Sequence, residues 1–357
     1  MEKENILQKF QLRFPPLSVK AYGQGHINRT FLVETSGEER YILQGINKNV
    51  FPEPEKLMEN IVKVTFYLKD IIKEYGGDPD RETLTLVFGT DGKSFFKDEG
   101  GEYWRVYRYI EDAVTLNAAE NVEDFCESGI AFGRFQGMLR DFPAETLYPV
   151  IPDFHDTAMR FQIFQKAVSQ DKCGRVKEVK KEIDFIRERS SEMSILGDMQ
   201  KRGELPLRVT HNDTKLNNVM LDKESHKALC VIDLDTVMPG LSVHDFGDAI
   251  RFGANTAPED EPDIGKVSLS LEHYEAYRKG FLKGCQGSLT DNEIRMLPMG
   301  AKMMTLECGM RFLTDYLSGD TYFKISREKH NAERCRCQLA LVADIERKWD
   351  SLKRKNF

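Results

Sequence analysis

The stretch from Arg208 to Asp248, RVTHNDTKLNNVMLDKESHKALCVIDLDTVMPGLSVHDFGD, constrains this chain more than any other. Two short apolar runs, Val219-Met220-Leu221 and Ala228-Leu229-Cys230-Val231-Ile232, bracket a polar turn from Asp222 to Lys227, which predicts a β-hairpin. Ahead of it Val209 and Thr210 lead into a loop dense in Asp, Asn and His, from His211 to Asn218, and directly after it stands an acid, Asp233. A folding core has no need of so many polar groups in so short a span. The fold must carry loop, hairpin and acid in that order.

Phosphoryl transfer uses this set of groups: a carboxylate to orient and deprotonate the attacking hydroxyl, and an amide oxygen with a second carboxylate to hold magnesium on the phosphates. His211, Asp213 and Asn218 fit the spacing H-x-D-x-x-x-x-N, and Asp233 follows a hairpin of the length that pattern requires. Asp213 is then the proton acceptor, Asn218 and Asp233 the metal ligands, and Lys215 a point charge for the transferring phosphoryl group. Asp and Asn are also ordinary turn formers, so the argument rests on their order. His211 is assigned to packing and bracing the loop. Asp245-Phe246-Gly247 spells a kinase metal motif, but Asp245 lies beyond Met238-Pro239-Gly240 at the predicted start of a helix, which makes it a capping or bracing acid. Asp235 reads as a second metal contact or as a plain surface acid.

His211 to Asn218, Ile232-Asp233-Leu234-Asp235 and Asp245-Phe246-Gly247-Asp248 resemble the aminoglycoside phosphotransferase and choline kinase superfamily. Within it the chain is similar to the bacterial N-acetylhexosamine 1-kinases nearly end to end, through Tyr22-Gly23-Gln24-Gly25-His26-Ile27-Asn28, Tyr41-Ile42-Leu43-Gln44, Arg208 to Asn218 and Glu307-Cys308-Gly309-Met310-Arg311-Phe312-Leu313. The resemblance implies an α+β, protein-kinase-like fold of two lobes. Residues 1–111 would form an antiparallel sheet lobe that binds nucleotide, and residues 112–357 a larger, mainly helical lobe with the catalytic loop and acceptor site. It further implies ATP and Mg2+ as cofactors and a sugar as the small-molecule partner, phosphorylated at the anomeric C1 hydroxyl of N-acetylglucosamine or N-acetylgalactosamine. Other small-molecule kinases of the superfamily, acting on an aminoglycoside, choline, homoserine or another sugar, are the alternatives.

Gly23 and Gly25 in the first turn let backbone amides approach a phosphate without Cβ interference, although a Gly-x-Gly is also simply a hairpin turn. Asn28 and Thr30 match the family's nucleotide loop. Adenine would pair with backbone groups near Tyr109 to Glu111, where a kinase-like fold leaves its sheet. In the third strand Gln44 stands where kinases carry a phosphate-binding lysine; Lys48 or Lys56 could compensate, and Glu55 or Glu59 could brace the phosphate site. That departure motivates a third alternative, a nucleotide-binding pseudokinase. For the acceptor the resemblance points to Arg311, Tyr322 and, from the glycine turn, His26, beside Asp213. Read alone, Arg311 would be a helix salt-bridge partner.

Periodicity predicts a short amphipathic helix within residues 1–18, ended by Pro15-Pro16, a helix from Pro54 to Tyr75, short strands at 84–88, 94–96 and 104–110, and helices at 125–142, 161–168, 179–196, 271–284, 293–317 and 328–352. The acidic segment from Ala254 to Ile264 reads as solvated surface. A net charge of -7 without a basic run argues against nucleic acid as partner. No apolar stretch approaches the roughly 20 residues of a membrane span, and the charged start MEKENILQKF lacks a signal peptide's apolar run, so a cytoplasmic protein is expected. The seven cysteines form no zinc spacing and are expected as free thiols.

Overall fold

The computed structural model describes residues 3–23, 27–117, 119 and 121–353. The chain forms helix α1 (Lys3–Leu7), strands β1 (Pro16–Ala21), β2 (Arg29–Thr35) and β3 (Tyr41–Ile46), helix α2 (Pro54–Glu74), then strands β4 (Leu86–Val87), β5 (Phe96–Lys97), β6 (Tyr103–Arg108) and β7 (Ala113–Thr115). Helices α3 (Val122–Met138), α4 (Thr157–Gln170), α5 (Lys180–Glu188) and α6 (Ile195–Lys201) follow. Next come strands β8 (Arg208–Thr210), β9 (Val219–Asp222) and β10 (Ala228–Val231), and helices α7 (Ser242–Gly253), α8 (Leu271–Cys285), α9 (Asp291–Ser318) and α10 (His330–Arg347).

Contacts divide the chain into two compact units. The first joins Met1–Thr115 with Asp141–Pro152 and Asn218–Pro239. Its main sheet is antiparallel, in the order β1-β2-β3-β6-β4 with β5 also on β6. Alternation puts Val33, Tyr41, Leu43, Trp104 and Val106 on one face, packed with Ile6, Leu7 and Phe10. Helix α2 starts at Pro54, whose missing N–H suits a first turn, and buries Leu57, Met58, Ile61, Val64, Leu68 and Ile72 at helical spacing. A second sheet, β10-β9-β7, holds the hairpin.

The second unit joins Leu116–Arg140, Asp153–Asn217 and Gly240–Phe357 and is almost wholly helical. Helices α3 and α8 meet along glycines: a Cβ added at Gly133 would lie 2.1 Å from the Phe281 carbonyl, and one at Gly280 2.1 Å from that of Cys126. The contact is therefore main chain on main chain.

Two helical expectations fail for local reasons. The N-terminal helix ends at Leu7, because Phe10 bridges to Gly89 and the Gln11 amide donates to the Phe88 carbonyl, pulling the chain into extended pairing. The segment 179–196 is broken after Glu188, where Ser190-Ser191 turn into a short 3-10 stretch before α6; serine side chains compete for backbone partners. All seven cysteines are free thiols. Among the described residues no helix is long and apolar enough to cross a membrane.

Candidate active site

In the second unit, β8 delivers the catalytic-type loop onto a rigid mount. Arg208 forms a fork on Glu293, Nε to Oε1 at 2.8 Å and Nη2 to Oε2 at 2.7 Å, and Glu293 also completes the capping box that starts α9. Gln136 of α3 donates to the Val209 carbonyl at 3.0 Å. His211 is fully buried against the edges of Phe132 and Phe135, and its Nδ1 accepts the Asp213 amide at 3.3 Å. Its place is that of a brace.

The buried carboxylate of Asp245 shapes the loop. Its Oδ2 accepts the His211 amide at 2.9 Å and Gln136 Nε2 at 2.8 Å, and its Oδ1 accepts the Asn212 amide at 2.8 Å. Burial pushes this carboxyl up, against the bonds from His211 and Asn212. Held this way, Asn212 sits at φ 64°, a left-handed turn that aims the next residue outward. Asp248, one turn on, accepts the Thr214 amide at 3.0 Å and is paired with Arg251 at 2.8 Å. Asp213 and Lys215, brought together by the loop, form an ion pair at 2.8 Å, with 27% and 34% of their side chains exposed. Asp213, and beyond it Asp248, hold the Lys215 ammonium above its ordinary range despite burial.

In the first unit, the hairpin places the two expected metal ligands side by side: the Ile232 amide donates to the Asn218 carbonyl at 2.9 Å, so Asn218 and Asp233 stand at its open end. Asp233 has φ 59°, a left-handed conformation that asparagine and aspartate tolerate best among residues with a side chain. No group of three or more His, Cys, Asp or Glu that could hold a metal occurs among the described residues. An amide oxygen and a carboxylate are hard donors suited to Mg2+, which takes its other ligands from water and phosphate.

Gln44, in the lysine position, lies in a row across three strands, opposite Thr30 on β2 and Arg105 on β6. Its Nε2 donates to Thr30 Oγ1 at 3.1 Å, and its Oε1 accepts Arg105 Nε and Nη2 at 3.0 and 2.8 Å. The other arm of Arg105 meets Asp235 at 2.5 Å, both side chains being almost fully buried. Asp235 is thus no surface acid. Its second oxygen accepts Asn28 Nδ2 at 2.6 Å, and Asn28 Oδ1 accepts the Asn47 amide at 3.0 Å. Burial opposes the charge of Arg105, yet Asp235, Tyr107 and Asp233 hold its pKa above the guanidinium range. Lys48 and Lys56 are elsewhere, paired with Glu102 at 2.8 Å and Glu53 at 2.7 Å, while Glu55 accepts Tyr103 and Glu59 pairs with Lys63.

Gly23 has φ 76°, which its lack of a Cβ permits; Gly25 and His26 lie outside the described residues. The Tyr109 hydroxyl is 3.3 Å from that of Tyr22, whose pKa burial and Tyr109 together push up to about 12. Glu111 pairs with Arg40, whose guanidinium lies 4.2 Å over the Tyr109 ring. In the segment expected to meet adenine, the Tyr109 amide donates to the Arg40 carbonyl and the Glu111 carbonyl accepts Arg81 Nη2.

The expected acceptor residues are in the second unit, near the end of α9. Arg311 lies over Phe154, Tyr322 and Phe323 at 5.1, 5.9 and 5.6 Å. Among the described residues no hydrogen bond or ion pair engages its guanidinium, so it is not the salt-bridge partner that helix statistics favour. Tyr322 is 61% exposed. The loop that carries it hangs from Asp315, which accepts the amides of Thr321, Tyr322 and Phe323, each at 2.9 Å. One turn before Arg311 the buried Glu307 accepts Thr157 at 2.7 Å and meets His155 Nδ1 at 2.9 Å; burial and then His155 push the adjacent His244 down to about 3.

Sequence reasoning met Asp248 and Glu307 inside motifs without giving them a role, and missed Arg105 and His155. Arg105 was foreseeable only through strand register, since it faces Gln44 across the sheet. The acidic segment 254–264 is also less solvated than expected, because Glu259 pairs with the buried Arg251 and Asp260 with Arg327 and His330.

The pattern of the phosphotransferase enzyme family, APH, matches residues 88–279. Among solved structures the chain is similar to a microcompartment-associated aminopropanol kinase, at 16% identity over 98% of each chain with a TM-score of 0.58. An aminoglycoside phosphotransferase from Alicyclobacillus acidocaldarius matches at 11% identity over 97% of this chain and 96% of that one, TM-score 0.61. Spectinomycin phosphotransferase, solved with ADP and spectinomycin, matches at 12% over 95% and 96%, TM-score 0.57. These likenesses fix the fold as kinase-like, an antiparallel sheet region followed by a helical part. With more than half of its 357 residues under the family's pattern, the chain belongs to the phosphotransferase enzyme family.

Proposed function

We propose that this phosphotransferase moves the γ-phosphoryl group of ATP to the C1 hydroxyl of an N-acetylhexosamine. Residues 1–111, with Gly23 and the Tyr109 to Glu111 segment, serve the nucleotide; the acceptor is served from 112–357. Asp213 orients the anomeric hydroxyl and takes its proton. That hydroxyl is more acidic than an ordinary alcohol, so an ordinary carboxylate suffices. Lys215, held at 2.8 Å from Asp213, offers its ammonium to the phosphoryl oxygens as charge develops there. Asn218 and Asp233 hold Mg2+, which when bound neutralises charge on the phosphates.

The observation that supports a sugar over a cationic acceptor is the state of Arg311. Its guanidinium, without an ion pair among the described residues, lies over the three rings of Phe154, Tyr322 and Phe323. A fork of N–H donors beside aromatic faces suits ring hydroxyls and an acetamido carbonyl. An ammonium group such as choline's would want those same faces and would be repelled by the charge already over them.

The test is magnesium-dependent ATP turnover over N-acetylglucosamine, N-acetylgalactosamine, glucose, galactose, choline, homoserine and kanamycin, with phosphorus NMR of the product. An anomeric phosphate that Asp213→Ala abolishes is the expected result. Turnover on choline or kanamycin alone overturns the sugar assignment and leaves the phosphotransferase. Absence of turnover on every acceptor favours the pseudokinase alternative that Gln44 raises.

A further inference from the structure

Gln44 leaves a phosphotransferase without a cation where its fold expects one, and the structure holds a buried cation one strand away. We infer that Arg105 and Asp235 are positioning residues: together they lock the turn that carries Asp233 to the strand end that follows the glycine turn. The inference rests on the reading that Asp233 holds Mg2+ on a nucleotide.

Arg105 is 1% exposed and sealed between Gln44, Asp235 and Met58, so it cannot itself reach a phosphate. Its five N–H donors instead span two elements. Nε and Nη2 are fixed on the Gln44 amide of β3, while Nη1 faces Met58 Sδ and forms an ion pair at 2.5 Å with the carboxylate of Asp235, two residues past Asp233 in the 3-10 turn that Asp233 precedes. Asp235 passes the connection on, since its other oxygen accepts Asn28, which in turn holds the amide of Asn47. Asn28 immediately precedes β2, and Gln44 is itself anchored on Thr30 of β2. A closed chain of contacts therefore runs from the metal turn through Asp235 to β2, β3 and β6, all within the first unit.

Two consequences follow from the chemistry of this chain. With one oxygen in an ion pair with Arg105 and the other accepting Asn28, Asp235 is engaged as a brace, and the metal is left to Asp233 and Asn218. And an amide suits position 44: a lysine at this half-buried site would set a second cation against Arg105, whereas glutamine supplies the acceptor that Arg105 needs and the donor that Thr30 accepts. The lysine's absence is thus the counterpart of the arginine's presence.

Removing one partner alone would strand a buried charge and unfold the unit for a trivial reason. The test therefore uses the charge-neutral pair Arg105→Met with Asp235→Asn, and separately Arg105→Lys, which keeps the charge but loses the fork. Mn2+ binding is read by EPR in the presence of a non-hydrolysable ATP analogue, analogue binding without metal by calorimetry, and folding by circular dichroism. The expected result is a folded variant whose Mn2+ affinity in the analogue complex falls about ten- to a hundredfold, as loss of a ligand's supporting partner does, while metal-free analogue affinity changes less than about threefold. Should both variants bind Mn2+ like the wild type, the pair is merely structural and the inference falls. If the double variant does not fold, Arg105→Lys alone decides by the same readout. A wild-type protein that binds no Mn2+ with the analogue would sink the nucleotide reading itself and this inference with it, an outcome separable from the others because it appears before any substitution.

Discussion

Asp245→Asn tests how the catalytic-type loop is held. Asp245 is fully buried and three N–H groups point at it: the His211 amide and Gln136 Nε2 at one oxygen, the Asn212 amide at the other. An asparagine keeps the shape but has one oxygen. In its better orientation that oxygen retains His211 and Gln136, and its NH2 confronts the Asn212 amide, donor against donor. One buried backbone N–H is orphaned, a loss of about 1–3 kcal/mol. Asn212 is also the residue at φ 64°, so the left-handed turn that aims Asp213 is what loosens. Thermal unfolding should shift down by about 2–6 °C, at roughly 2 °C per kcal/mol for a chain of this size. Turnover with an N-acetylhexosamine should fall by up to about 100-fold, the order expected for an ångström-scale misplacement of a reacting group. Scanning calorimetry and steady-state kinetics measure the two effects independently. An unchanged melting temperature together with unchanged kcat would refute the argument that Asp245 holds the loop. A lower melting temperature with unchanged kcat would detach the loop's geometry from the chemistry.

Gly133→Ala should destabilise the fold by about 2 kcal/mol or more in chemical denaturation, because its Cβ would fall 2.1 Å from the Phe281 carbonyl and drive α3 from α8. Gly197→Ala, in a helix with nothing within 4 Å of the new Cβ, should do the opposite and stabilise by up to about 1 kcal/mol; equal effects at the two sites would refute the close-approach argument. His244 is held near 3 in the fold against 6.5 when free, so between those values only the unfolded chain binds its proton, and stability falls with falling pH by up to about 1.4 kcal/mol per unit. His244→Gln should flatten the melting temperature against pH between pH 6.5 and 4; an unchanged slope would show that the ring is protonated in the fold. Arg311→Lys keeps the charge and loses the fork, so the acceptor's KM should rise about tenfold with kcat nearly constant; an unchanged KM would place the acceptor elsewhere.

The hairpin and loop were legible because their signals are local: apolar runs of strand length, a polar turn between them, and chemistry-bearing residues at fixed offsets. Helix α2 was readable for the same reason, through its buried stripe and Pro54. What escaped is what long-range pairing decides. Arg105 sits in a strand of aromatic and apolar neighbours and looks like an exposed basic residue, until the register of β3 and β6 sets it opposite Gln44 and the hairpin brings Asp235 to it. Asp235 was open between ligand and surface acid for the same cause. The N-terminal helix was overextended because nothing near Phe10 announces that Gly89, far along the chain, will claim it.

The suspension of residues 321–323 from Asp315 bears on how the acceptor site proposed around Arg311 can change its preference. Within this segment the carboxylate grips three amides and no side chain, its further partner being Asn331 Nδ2 from α10 at 3.0 Å. Any non-proline residue can stand at those three positions and be presented on the same curve of backbone, so the surface around Arg311 can be rewritten one side chain at a time while its frame stays put. A rim of this kind is free to drift from one acceptor toward another without asking the core for compensation.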